Sequence, residues 1–318
     1  MRGALLTSFW TLFSRILGFV RDAYMASIFG MSAAQGAFNL AWTFPNMFRR
    51  LFGEGAVSAA VQPALARAEA EEGEAAARKL YAGCMGFLLL VLVGLTLVGE
   101  AILWIWRSSL EPSLEHFETR RTLWFAAFLL PYLIPICMCA LAGAPQNLKR
   151  RFLFTALAPI LLNVVWIGGL WFNNRATDVV GDQLSWLWIW ILLGGILQWA
   201  VQMPGVFGVG WPLLPHFGKL SKRLRQALRS FAPALIGLAA LQVSLAVDQI
   251  LIRMLVGPDA NNYSHYANRM LHLPLALVGI AAMTGAMPMF SRLAAARKME
   301  EMSVALRRGC ESCLLLMG

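Results

Sequence analysis

Over 318 residues the chain is 58% hydrophobic and only 14% charged, with a mean hydropathy of +0.61. A soluble domain carries about 25% charged residues, so the composition excludes a water-soluble fold and places the chain in lipid. The net charge of +10 would point to nucleic acid if the cations gathered on a soluble module, but they sort by loop instead, which excludes a nucleic-acid partner.

A helix needs about 20 mostly apolar residues to cross roughly 30 Å of hydrocarbon. The first predicted span covers residues 5–29 and carries Arg15, Arg21 and Asp22, with no small-residue cleavage pattern after it. It therefore reads as a retained helix and not a cleavable signal. Each charge near a helix centre costs about 2.5 to 3.5 kcal/mol on insertion scales, so these side chains must face protein or water. At 3.6 residues per turn Arg15 and Asp22 share a stripe with Gly18 between them, and Arg21 projects about 100° away.

The second span, residues 34–52, is interrupted by polar side chains and ends in Phe44-Pro45-Asn46, Arg49-Arg50 and Gly53-Glu54-Gly55. Pro45 is expected to break the helix and to carry Arg49 and Glu54 toward the membrane interior, a transporter-like feature. Arg50 is expected to snorkel to the interface.

Six clearer spans follow at residues 82–106, 122–144, 152–172, 184–204, 231–255 and 266–290, and a ninth begins near Val304. That ninth stops at Gly318, where last carbonyls would be left unpaired in the bilayer, so the chain is expected to be cut short. The fold class is thus all-α, a polytopic transmembrane helical bundle. Residues 1–215 would form an N-terminal lobe of spans one to six. Residues 216–318 would form a partial C-terminal lobe of spans seven and eight and the start of nine.

With the N-terminus in the cytoplasm most lysines and arginines fall in cytoplasmic segments, among them Arg49, Arg50, Lys149, Arg150, Arg151, Lys222 and Arg223. The segment from Arg107 to Arg121 is the dissenting outer loop. Trp104, Trp106, Trp171, Trp186, Trp188 and Trp190 cluster at predicted outer boundaries, as interfacial anchors do. The five cysteines, Cys84, Cys137, Cys139, Cys310 and Cys313, have no histidine at metal-ligand spacing and read as small apolar residues, so neither a metal nor a cofactor is expected.

An internal repeat is visible. Pro63-Ala-Leu-Ala-Arg67 recurs as Pro288-Met-Phe-Ser-Arg292, Asp22 with Gly30 is echoed by Asp248 with Gly257, and Phe44-Pro45 by Leu273-Pro274. Two lobes of about six spans each around a central site would produce this pattern, so the chain reads as a two-lobe transporter with an incomplete second lobe. In the second half Asp248 sits deep in span seven, and Arg269 lies early in span eight beside Asn268 and His272.

The candidate cavity sets Arg15, Arg21, Arg49 and Arg269 against Asp22, Glu54 and Asp248. An arginine excess in a membrane cavity argues for an anionic substrate, and the planar guanidinium fork suits phosphate oxygens, a diphosphate above all. A membrane enzyme would need an acid/base or metal cluster, and His116, His216, His265 and His272 with scattered carboxylates supply none.

The run Phe13-Ser14-Arg15-Ile16-Leu17-Gly18-Phe19-Val20-Arg21-Asp22-Ala23, then Phe44-Pro45-Asn46 with Arg49-Arg50 and Glu54-Gly55-Ala56, resembles the N-terminal signature of the MviN/MurJ lipid II flippases. Ala158-Pro159-Ile160-Leu161-Leu162-Asn163, Gly194-Gly195-Ile196-Leu197-Gln198 and Tyr266-Ala267-Asn268-Arg269-Met270 follow in that family's order. The resemblance implies two six-helix lobes with two further helices, an inner-membrane location, and alternating access that moves lipid II from the cytoplasmic to the periplasmic leaflet. It implies that Arg15, Arg21, Arg49 and Arg269 carry the diphosphate while Ser14 and Glu54 shape the cavity. It also implies coupling to membrane potential or sodium, with Asp248 a candidate ion ligand, and contact with membrane lipids and the cell-wall synthesis machinery. Gly36 stands where the family often places Asp, and His272 where Glu is common. Alternatives are a flippase for another polyprenyl-diphosphate glycan and an inactive membrane scaffold.

Overall fold

The computed structural model describes residues 2–51, 60–177, 180–218, 222–274, 301–307, 309 and 311, and the regular structure among them is helical. Helix α1 runs Arg2–Phe29 and stops at Gly30, whose φ of +59° a side-chain-bearing residue adopts reluctantly. Ser32 then caps α2, Ala33–Phe48, its hydroxyl accepting from the Gln35 N–H at 3.3 Å.

Pro45 does not break α2. It lies inside the helix, which runs on into a wider π-type turn over residues 49–51. A single missing amide donor is tolerated where packed neighbours surround the helix, and Pro45 is buried.

Helix α3, Gln62–Glu72, begins with Pro63 in its first turn, where a proline costs nothing, and turns at Gly73 into α4, Glu74–Ser109. The first copy of the sequence repeat is therefore the start of α3; the second, at residues 288–292, lies outside the described residues. At 36 residues and 1.5 Å per residue α4 is about 54 Å long, so part of it stands outside the hydrocarbon. The chain continues through α5, Phe117–Leu129, a 3₁₀ turn over Leu130–Tyr132, and α6, Leu133–Leu148. Next come α7, Leu153–Ala176, α8, Val180–Ser185, α9, Leu187–Ala200, and α10, Met203–Gly208. Last are α11, Lys222–Leu255, and α12, Ala260–Pro274.

Among the described residues four segments are long and apolar enough to cross a membrane: Glu74–Ser109, Phe117–Leu148, Leu153–Ala176 and Gln183–Gly208. They contain the predicted spans 82–106, 122–144 and 184–204 and cover all but the first residue of 152–172. Helices α1 and α11 have the length, at 28 and 34 residues, but carry charge. Most of the predicted span 266–290, and much of the ninth, lie outside the described residues.

The most apolar stretch of Phe117–Leu148 is 78% buried and that of Glu74–Ser109 only 17%, which makes α5–α6 the central helix pair and α4 a lipid-facing wall. Along α4, Leu90, Leu97, Val98, Ile102 and Ile105 are exposed accordingly. Around the centre α1 packs on α7, α7 on α9, α9 on α6, and α2 on α5. The α9 contacts depend on small residues. A Cβ on Gly195 would stand 2.7 Å from the Tyr132 ring, and one on Gly194 2.8 Å from Leu162.

The cations of the dissenting loop have a local use. Arg120 donates through Nη1 to the carbonyls of Arg107 (2.8 Å) and Leu110, capping the end of α4, where positive charge is favoured. Arg121 pairs with Glu118 at 3.1 Å. Trp104, Trp106, Trp171 and Trp186 are exposed as anchors should be. Trp188 and Trp190 are not such anchors: Trp188 stacks on Phe128 at 4.6 Å, and Trp190 donates to Asn173 Oδ1 at 3.1 Å.

The chain divides into two compact units, residues 1–262 and 263–318. Within the second, α12 carries His265 edge-to-face with Tyr266, and Arg307 pairs with Glu311 at 2.9 Å.

Candidate substrate-binding site

Gly18, Asp22, Met25 and Phe29 recur at helical spacing as the buried side of α1. Arg21 leaves its own stripe and folds back beside them. Its Nε and Nη2 donate to Asp22 Oδ1 at 2.9 and 2.7 Å, and its Nη1 donates to Asn163 Oδ1 on α7 at 3.1 Å. The guanidinium carbon stands 4.3 Å from the centre of the Trp166 ring. With the two charged side chains only 12% and 5% exposed, the pair sits where water does little to screen it, and cation–π attraction is correspondingly strong. Asn163 completes the clamp, since its Nδ2 donates to the Ser14 carbonyl at 3.1 Å and so fixes α7 to α1.

Behind Arg21 is an aromatic wall. Trp166 meets Trp42 edge-on at 4.9 Å, and Trp42 meets Tyr132 at 5.3 Å. Phe38 closes the far side against Trp166 and Phe125, and the Tyr132 hydroxyl donates to Gln198 Oε1 at 3.1 Å. Arg49, in the turn after α2, is half-buried and donates from Nε to Asn46 Oδ1 at 3.1 Å. Arg21 and Arg49 are two of the four predicted arginines.

The others are placed differently. Ser14 is half-buried and takes part through its carbonyl, while Arg15 is exposed on α1. The stripe with Asp22 holds as backbone geometry, but Arg15 lies beyond the packed part of the helix. Asp248 is exposed on α11, and Arg269 is half-buried on α12 within the second unit. Glu54 lies outside the described residues, as do Cys310 and Cys313. Cys84, Cys137 and Cys139 are buried free thiols. Among the described residues no three histidines, cysteines or carboxylates come together as metal ligands.

Asn163, Trp166, Trp42 and Tyr132 were not among the candidate site residues. A signal existed for the first two: Asn163 is a polar residue in an apolar span, and Trp166 follows it by three positions, on the same helical face.

The α1–α2 turn is tied to the turn between α11 and α12. Asn39 Nδ2 donates to Asn262 Oδ1 at 2.8 Å, Asn262 Nδ2 to the Ser32 carbonyl at 2.9 Å, and Gln35 Nε2 to Asn39 Oδ1 at 3.3 Å. Gly36 is glycine for a local reason, because the Pro258 carbonyl occupies the space any Cβ would need. The repeat is legible here as two helices, α1 and α11, each followed by a glycine of positive φ, Gly30 and Gly257.

A helical bundle that buries an arginine clamp inside apolar spans defines a polytopic membrane protein of the transporter type. A model of the lipid II flippase MurJ family matches residues 25–317, and the chain belongs to that family. It is 30% identical to the lipid II flippase MurJ of Burkholderia cenocepacia, over 99% of this chain and 61% of the relative. To probable lipid II flippases of Rhizobium tropici and Vibrio cholerae it is 31% identical, over 96% and 92% of this chain and 58% and 57% of theirs. The chain thus spans about three fifths of the length of these curated relatives. A solved structure titled lipid II flippase MurJ, inward closed conformation, shares the fold with a TM-score of 0.74 at 23% identity, over 98% of this chain and 63% of that one.

Proposed function

We propose that this chain serves as a flippase for lipid II, carrying the undecaprenyl-diphosphate-linked peptidoglycan precursor from the cytoplasmic to the periplasmic leaflet of the bacterial inner membrane. Transport proceeds by alternating access between lobes at residues 1–215 and 216–318, without chemical conversion of the substrate. Carrying this reading is Arg21, held against Trp166 by Asp22 and Asn163. A guanidinium has five N–H groups, and Arg21 uses three on Asp22 and Asn163. The remaining two are available to phosphate oxygens without disturbing the clamp. Asp22 balances part of the Arg21 charge, with Arg49, Arg15 and Arg269 as further diphosphate contacts and Ser14 and Glu54 shaping the walls. A carrier must release what it binds, and a partly neutralised cation favours release.

The cytoplasmic position of the N-terminus follows from the cation bias of the loops, with Arg49, Arg50, Lys149, Arg150 and Arg151 on one side. Asp248 is the proposed ligand for a coupling ion, with membrane potential or sodium as the energy source, and the cell-wall synthesis machinery the proposed protein partner.

The test is rescue of a bacterium whose own lipid II flippase can be shut off. The 318-residue chain and a version carried to the length of the curated relatives are expressed, each also with Arg21→Glu. Rescue by either form, lost on Arg21→Glu at equal membrane abundance, is the expected result. Rescue that survives Arg21→Glu would refute the diphosphate role. No rescue by a correctly inserted long form would shift the substrate to another polyprenyl-diphosphate glycan.

A further inference from the structure

Helix α10 ends the last of the four apolar segments, and there the chain turns back on itself. Gly210, with a φ of +76°, makes the turn, so close to α4 that a Cβ on it would stand 2.9 Å from Arg78 Nη2. From that point an irregular segment, residues 211–218, runs along α4 toward the apolar stretch that begins at Ala82. Trp211 is buried edge-on to Tyr81 at 5.5 Å. The His216 N–H donates to the Ala82 carbonyl at 2.9 Å, and the His216 carbonyl fills the space that a Cβ on Gly86 would need. Going from Arg78 to Gly86 covers about 12 Å of helix, so the segment descends from the charged end of α4 to the level of its hydrocarbon span.

Its outward side is apolar. Trp211 and Leu213 pack on the core, whereas Leu214 is 79% exposed and Phe217 58%. The Phe217 ring comes within 3.4 Å of an ideal Cβ on Gly86, which puts it at span depth and still uncovered. Leu90, one turn beyond Gly86, is exposed on the lipid-facing wall of the same helix, so the two surfaces are continuous. The backbone suits that place as well. Irregular backbone is costly in lipid because an unpaired N–H has no water to meet it. Pro212 and Pro215 have no N–H, and those of Trp211 and His216 are bonded to the carbonyls of Val206 and Ala82. Four of the six residues from 211 to 216 therefore offer no free N–H.

We propose that residues 211–218 are seated in the lipid–water interface of the leaflet at the charged end of α4, with Leu214 and Phe217 inserted toward the acyl chains. The partner of this surface is the bilayer. Exposed apolar side chains at the depth where Arg78 and Lys79 give way to an apolar helix are what an interfacial segment presents. The seat shares no residue with the Arg21 clamp and does not depend on what the chain carries.

The test places photoreactive p-benzoylphenylalanine at position 214 or 217 of the 318-residue chain, reconstituted in vesicles of phosphatidylethanolamine and phosphatidylglycerol, and counts lipid adducts by intact-mass spectrometry after irradiation. Two further positions set the scale: Leu97, exposed on the lipid-facing wall, and Ala75, exposed in the first turn of α4, about 10 Å before Ala82. Lipid adducts at 214 and 217 should come within about twofold of those at 97 and exceed those at 75 about tenfold. Gly86→Val drives a side chain into the His216 carbonyl and should lower the yield at 217 about fivefold. Gly94→Val, where a Cβ meets nothing within 4 Å, should leave it unchanged, which separates a seat built by the protein from the probe's own affinity for lipid. Yields at 214 and 217 no higher than at 75, adducts to a second copy of the chain in place of lipid, or labelling that survives Gly86→Val in the inserted chain would overturn the proposal. If Gly86→Val fails to fold, the comparison with positions 97 and 75, made in the otherwise unaltered chain, decides alone.

Discussion

Removing the Asn163 side chain gives the most direct check on the Arg21 clamp. Asn163→Ala deletes two hydrogen bonds, one to Arg21 Nη1 and one to the Ser14 carbonyl, both at 3.1 Å. Interhelical hydrogen bonds inside membranes average about 0.6 kcal/mol and reach about 1.7. The bond to the guanidinium belongs at the upper end because its donor is charged and little exposed. The substitution should therefore cost about 2 kcal/mol, most of it through Arg21. A double-mutant cycle with Arg21→Met separates the two bonds, since only the Arg21–Asn163 bond is shared by both changes. Reversible unfolding in mixed mild-detergent and dodecyl sulfate micelles, followed by circular dichroism, should give a coupling of about 1.5 kcal/mol. A coupling below about 0.5 kcal/mol, within the scatter of additive sites, would show that Asn163 only ties α7 to Ser14. Arg21 would then be held by Asp22 and Trp166 alone.

Asp22→Ala leaves Arg21 with its main counter-charge gone, and the loss of one partner of a buried pair costs about 3 kcal/mol or more; the same unfolding assay should show a larger drop than Asn163→Ala. Gly195→Val puts a branched side chain into the Tyr132 ring, already 2.7 Å from an ideal Cβ, and should lower stability by about 2 kcal/mol in thermal melts of the detergent-solubilised chain. At the membrane surface Lys149 bonds Glu69 at 2.5 Å and Glu74 at 3.5 Å. The hydrogen bond to Glu69, with the charge of both glutamates, holds its ammonium above the ordinary lysine value of 10.5. A raised folded value stabilises fully below the unfolded one and is lost as pH rises through the raised one. The melting difference between the unaltered chain and Lys149→Met should stay constant from about pH 7 to pH 9 and shrink only above the lysine range; a difference that shrinks already on going from pH 7 to 9 would rule out the ion pair as its source.

The four most apolar spans were legible in the sequence because an apolar run of span length in lipid has one solution, a helix with its backbone satisfied internally. Pro45 misled because the helix-breaking rule weighs the lost hydrogen bond alone, whereas here the proline is buried among packed neighbours that hold the helix. Arg21 and Asp22 were legible as costly residues; their embrace was not. Backbone geometry separates neighbours on a helix by about 100°, but a long guanidinium side chain folds back across that angle, and nothing local to residues 21 and 22 specifies Asn163 on a helix 142 positions away. Tyr132 and Trp42 escaped for a related reason: they belong to spans three helices apart in sequence, and only packing through Gly195 and Trp166 brings them together.

The same feature bears on how such a site can work. An unpaired arginine would hold a diphosphate strongly and release it slowly, while a fully buried ion pair would not bind it at all. Arg21 lies between these limits, with three of its five N–H groups committed to Asp22 and Asn163 and its face on Trp166. The ring and the asparagine fix the guanidinium plane, so little rotamer entropy is lost when phosphate arrives. On the proposed reading, Asp22 sets how tightly the phosphate is then held. If this division of labour is right, Asp22→Asn, which keeps an acceptor but drops the charge, should raise the affinity of the solubilised chain for inorganic pyrophosphate by about tenfold, as the loss of an opposing charge nearby is worth roughly 1.4 kcal/mol. Asn163→Ala should lower it by loosening the plane. Affinity that falls in both variants would mean Asp22 is part of the binding surface, and the proposed balance between holding and release would have to be abandoned.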